Sequence, residues 1–240
     1  MQAYAYGTSP YAVAYQTEAV RSEFIRKTYT HLGLAVLAFA ALEWVLLVPF
    51  RATSEALIRG MIGTRFGWLL VLGLFMGVGW IADRWARSAE SPALQYLGLG
   101  LYVVAEAVIF LPLLYVAAYL TGDPNLIPTA GVMTLGLFAG LTGTVFITKK
   151  DFSFLRTALM VGGFVALGVI VCAILFGFQL GTLFSAAMIV LAGGYILYYT
   201  SNVLHYYQPG QHVAAALALF AAVALMFWYV LRFLMELNRK

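Results

Sequence analysis

Seven separate runs of roughly twenty apolar residues fill this chain of 240 residues and leave little over. Each is long enough to cross a hydrocarbon layer of ~30 Å as a helix rising ~1.5 Å per residue. The chain therefore reads as an all-α membrane protein, a seven-transmembrane-helix bundle. Only 10% of residues are charged and 63% are hydrophobic. Soluble domains carry about 25% charged residues, so lipid is the solvent this composition fits. Too little loop remains for a soluble active site, which argues against an enzyme. The net charge of +4 is carried at segment ends. It reads as topology charge, not as a nucleic-acid surface.

The predicted spans run approximately over 28–50, 66–83, 94–120, 126–148, 155–178, 180–204 and 212–236. The longest connection, from Arg51 to Arg65, has room for an interfacial helix. Thr121-Gly122-Asp123-Pro124-Asn125 and Pro209-Gly210 are turn signals. Gly177 and Gly181 imply a tight hairpin between the fifth and sixth spans. Residues 1–24 read as a cytoplasmic tail, loosely ordered or lying at the interface, and 25–240 as the membrane domain. The tail lacks a basic patch followed by an apolar core, so the first span is expected to act as an uncleaved anchor.

Orientation follows from the basic residues. Eight Lys and Arg fall on the side of the N-terminus and six on the other. This bias favours a cytoplasmic N-terminus, with the C-terminus opposite. The alanine-rich 214–227 stretch predicts that the last helix is central, because a helix surrounded on all sides benefits from small side chains. The pairs Gly73/Gly77 and Gly136/Gly140, and Gly163 with Gly168, are expected to be close-approach surfaces. The lone cysteine, Cys172, is expected to be a packing residue.

Ionisable groups inside membrane helices cost several kcal/mol and are candidate functional residues. Glu106 lies near the middle of the third span. Pro112, six residues on, cannot donate to the Val108 carbonyl and frees it. Tyr102 sits one turn before Glu106 on the same face, within hydrogen-bonding reach. Glu43 lies about two turns from the end of the first helix, where it is either an interfacial carboxylate or a second intramembrane one. His31 reads as interfacial. The sixth span ends in a polar-aromatic run. Tyr195, Tyr199 and Asn202 share one face of it, and Tyr198, Ser201 and His205 another. So many hydrogen-bonding groups predict a wet or bundle-facing end. The candidate ion or proton pathway is thus Glu106, Glu43, Tyr102, Tyr198, Tyr199, Asn202 and His205.

Other chemistries lack their residues. All four Lys lie at segment ends, so no Schiff-base lysine is available. Three scattered His do not supply a zinc site, and neither a metal nor a cofactor is expected.

Three stretches carry a family resemblance: Phe24-Ile25-Arg26-Lys27-Thr28-Tyr29 before the first span, Thr148-Lys149-Lys150-Asp151-Phe152-Ser153 between the fourth and fifth, and GYILYYTSNVLHYY closing the sixth. With AALALFAAVALMFWYVLRFL as the last helix, nearly the whole chain resembles the Bax inhibitor-1 family, and specifically its bacterial members. The resemblance implies six helices around a central seventh and a location in the bacterial inner membrane. It also implies a pH-sensitive calcium leak gated by two aspartates. Those positions read Tyr199 and Ala222 in this chain, so the carboxylate pair that would share a proton is missing. The other reading is a non-conducting protein that modulates other membrane proteins, such as a membrane-bound AAA protease. The missing aspartates favour this second reading, and the two intramembrane carboxylates favour the first.

Overall fold

The computed structural model describes residues 11–89 and 91–238. Its eight α-helices are α1 (Glu18–Leu47), α2 (Arg51–Ile62), α3 (Arg65–Ala86), α4 (Pro92–Tyr119), α5 (Leu126–Thr148), α6 (Leu155–Phe176), α7 (Thr182–His205) and α8 (His212–Asn238). All but α2 are long and apolar enough to cross a membrane.

Local sequence sets the ends. The Thr64 side chain accepts from the Gly67 amide at 3.0 Å and caps α3. Ser91 caps α4, with Pro92 in the first turn where no amide donor is needed. Gly177 closes α6 at φ +75° and leads through four further residues into α7, the expected tight hairpin. Lys149 closes α5 in the same left-handed conformation, at φ 51°.

The interfacial helix is present as α2. Arg51 bonds Glu55 at 2.9 Å, and Tyr115 of α4 donates to the same carboxylate at 2.8 Å. The Arg51 guanidinium lies 4.0 Å from the centre of the Tyr119 ring. The Tyr115 hydroxyl, then Arg51, hold the Glu55 carboxyl below the usual range.

α8 is the hub of the bundle. It packs against α1, α3, α4, α5 and α7. Ala214, Ala215, Ala216, Leu219 and Leu231 are each 0% exposed. Alanine here lets neighbouring helices close in from every side. α6 behaves differently: it leans on α7 and α3 and stands off from α8. Bulky side chains such as Ile147, Phe176, Leu183 and Val190 face outward, as lipid-facing helices require.

Several expectations need correction. α1 begins at Glu18, ten residues before the predicted first span, because Glu18 to Lys27 continues the helix for nearly three largely polar turns beyond the apolar run. The described part of the tail is anchored at one point, where Val13 is fully buried and its amide donates to the Tyr207 carbonyl at 2.8 Å, while Tyr11 and Tyr15 are exposed, as an interfacial segment allows. Pro10 lies outside the described residues. Gly73, Gly77, Gly136, Gly140 and Gly168 have open space beside them, so they are not close-approach surfaces. Gly163 is one, against the Tyr195 hydroxyl. The tightest contact between two membrane-spanning helices belongs to Gly98, where a methyl group would lie 2.6 Å from the Ala82 carbonyl oxygen. Cys172 is exposed on the outer face of α6, not packed. Periodicity alone does not say which face of an all-apolar helix meets protein.

Candidate functional site

Five helices border a partly open cavity of about 440 Å³ within the membrane-spanning part of the bundle. α8 supplies Ala221, Ala222 and Leu225, α4 supplies Tyr102 and Glu106, and α7 supplies Tyr195 and Tyr199. α3 and α6 close it with apolar side chains, among them Phe75, Ala166 and Ile170. The space lies where α6 stands off from the hub helix, which it approaches near Ala166, Met188 and Tyr229.

Glu106 is 5% exposed and is the one carboxylate on this wall. Tyr102, one turn earlier on α4, lines the same wall of the cavity. The Tyr195 hydroxyl donates to the Leu159 carbonyl at 2.9 Å and ties α7 to α6 across the cavity. Tyr195 and Tyr199 stack with ring centres 5.9 Å apart. Tyr199 and Ala222 therefore border the same space as Glu106.

The remaining candidates lie elsewhere. Tyr198, Asn202 and His205 do not line the cavity. His205 hydrogen-bonds the Ser201 carbonyl at 2.9 Å at the end of α7. Glu43 does not line it either. It is 5% exposed, buried where an interfacial carboxylate was one expectation, and neither of its oxygens has a hydrogen-bond partner. His31 lies 5.4 Å from the Tyr96 ring and 5.1 Å from His212, at the end where α1 enters the membrane.

A second cavity of about 550 Å³ abuts the first at the far end of the bundle. The two share Trp68, Ile170, Trp228 and Arg232. Trp68 and Trp228 stack at 6.4 Å between them. Arg232 bonds Glu236 at 3.0 Å and the Leu180 carbonyl at 2.7 Å, while Ser185 donates to the other Glu236 oxygen at 3.0 Å. The chain's charge pattern did not single out Arg232 and Glu236. They are four residues apart near a helix end, where charge is ordinary.

The loop between α5 and α6 forms a third polar group, at the opposite end. Asp151 accepts from Tyr206, from the Ser153 amide at 2.8 Å and from the Ser201 hydroxyl at 3.4 Å. Ser201 also accepts from the Phe152 amide at 2.9 Å. Burial pushes the Asp151 carboxyl up, but the bonds from Tyr206 and Ser153 outweigh it and hold it below the usual range. A depressed folded value contributes stability above the unfolded value, and that stability is lost as pH falls through the folded value. Thermal unfolding in detergent should therefore show a wild-type advantage over Asp151→Asn at pH 7 that shrinks under acid. An advantage that does not change with pH would count against this contact.

Among the described residues, no three His, Cys, Asp or Glu side chains converge. Calcium takes about six to eight oxygen ligands. The cavity's protein oxygens are those of Glu106 and its tyrosines, so a cation there would keep most of its water.

The arrangement defines a class: a seven-span helical membrane protein with a carboxylate-bearing cavity beside a central last helix. A family model described as "Inhibitor of apoptosis-promoting Bax1" matches residues 21–239. The chain belongs to that family, Bax inhibitor-1. It is 29% identical over 237 residues to the mouse protein lifeguard 4, covering 95% of this chain and 91% of the relative. It is 27% identical to a Campylobacter jejuni protein over 91% of this chain and 90% of the relative. Bax inhibitor 1 of Schizosaccharomyces pombe is 26% identical, over 92% of this chain and 79% of the relative.

Proposed function

We propose that the chain is a pH-sensitive cation leak in which Glu106 serves as the one intramembrane charge of the pathway. The observation that carries this reading is the burial of Glu106 in a membrane-embedded cavity bordered by Tyr199 and Ala222. One carboxylate then does the work that family resemblance assigns to two aspartates. Protonated, Glu106 is neutral and offers a cation nothing. Ionised, it stabilises a cation at the point where the bilayer opposes it most. Calcium is the ion that the resemblance suggests, and protons are the alternative.

Tyr102 and Tyr199 are proposed to stand in the pathway, and Tyr198, Asn202 and His205 near its entrance. Glu43 is left out because it does not border the cavity. The test is calcium and proton flux in proteoliposomes for wild type and Glu106→Gln.

A second reading, a non-conducting protein that modulates membrane partners, is favoured by the absence of carboxylates at Tyr199 and Ala222. Wild-type liposomes without flux at any pH would leave that reading standing alone.

The proposed location is a bacterial inner membrane, with the N-terminus and the Lys149-Lys150 turn both in the cytoplasm. Cysteines introduced beside Lys149 and in the tail should be labelled from the same side. Labelling from opposite sides would sink this topology.

A further inference from the structure

The two abutting cavities differ in character along one line. The inner one, behind α6, is walled mainly by apolar side chains. The outer one adds Gln179, Thr182 and Glu236 at the end of the bundle, beside Arg232, which stands where the two meet. A gradient from apolar depth to polar mouth, at membrane depth, matches an amphiphile with its tail inward. The mouth carries both signs of charge side by side, with Arg232 and Glu236 bonded at 3.0 Å and partly exposed, at 28% and 18%.

We propose that the cavities hold one phospholipid with a zwitterionic, amine-bearing headgroup, its acyl chain lodged behind α6 and its head at the Arg232–Glu236 pair. The planar guanidinium suits a phosphate oxygen, and the carboxylate suits the ammonium. A singly anionic head would satisfy Arg232 but face Glu236 with like charge. The outer faces of α3 and α6 are apolar, with Leu70, Leu74, Phe164 and Val165 exposed where a membrane-spanning helix meets lipid. An acyl chain can therefore enter sideways, and water has less to gain in so apolar a space. The proposal stands whether or not the protein conducts. If it conducts, the lodged tail occupies the space beside Glu106 and holds the pathway shut.

The test uses the full chain in detergent with equal amounts of phosphatidylethanolamine and phosphatidylglycerol of identical chains, read by native mass spectrometry. One phosphatidylethanolamine should be retained per chain, about tenfold in preference to phosphatidylglycerol, equivalent to ~1.4 kcal/mol. Glu236→Gln should bring that ratio near one. Ala166→Phe, which fills the tail cavity, should abolish retention of both lipids. A second measurement needs no cavity variant: with Trp44, Trp80 and Trp85 replaced by Phe, a brominated-chain phosphatidylethanolamine should quench Trp68 and Trp228, saturating at one lipid per chain. Equal or greater retention of phosphatidylglycerol by wild type would overturn the headgroup assignment. No retained lipid, or no quenching at one lipid per chain, would overturn the site.

Discussion

Replacing Glu106 by Gln should lower cation flux in proteoliposomes by about tenfold or more, the effect of roughly 1.4 kcal/mol on a barrier. The substitution keeps the side chain's size and its hydrogen-bonding capacity toward Tyr102, so the bundle should stay folded. What it removes is the ability to ionise. Charge at membrane depth costs several kcal/mol unless it is met by an opposite charge, and Glu106 is the one acidic group on the cavity wall. Flux through the wild type should also vary with pH, and flux through Glu106→Gln should not. Glu43→Gln is the matched control, since that carboxylate is equally buried but lines neither of the two cavities. Equal losses from both substitutions would point to a general disturbance of the bundle and away from a pathway at Glu106.

Gly98→Val should be among the most destabilising single changes in the chain, costing on the order of 3 kcal/mol or more as an overpacked contact. A methyl group at Gly98 would meet the Ala82 carbonyl at 2.6 Å and the Ala86 amide nitrogen at 2.7 Å. Both are backbone atoms of α3, so no side-chain rotation relieves the clash. The α3 and α4 helices must part, and they form one of the most extensive pairs in the bundle. Gly73→Val and Gly77→Val, by contrast, place their side chains in open space and should leave thermal stability in detergent almost unchanged. A similar loss from all three would show that these helices meet in another register.

The contrast between Gly98 and Gly73 shows what the sequence holds and what it hides. The seven spans, the interfacial helix at 51–62, the hairpin at Gly177 and the central last helix could all be read from apolar run length, turn residues and alanine content. Glu106 and Tyr102 could be read because a carboxylate in an apolar run is conspicuous and a one-turn spacing is geometric. Helix faces could not be assigned the same way. In a helix that is apolar all round, the side facing protein and the side facing lipid look alike. For that reason a glycine pair in α3 looked like a contact, while a single glycine in α4 makes one. The cavity itself was hidden because it depends on α6 standing away from α8, a matter of helix placement that leaves no local signature. Glu43 was ambiguous because depth along α1 does not reveal what surrounds a side chain.

The position of α8 also sets the order in which this protein can be built. Each earlier span is synthesised and released into the bilayer before the helix that most of them share has been made. Until α8 arrives, faces of α1, α3, α4, α5 and α7 have lipid or one another where their common partner will be. Pairs such as α3 and α4 can meet earlier, but the bundle closes only when α8 arrives. Half-made chains should accordingly be looser than the whole, and a chain stopped before residue 212 should be cleared by membrane proteases faster than the full chain, despite the six spans it already has.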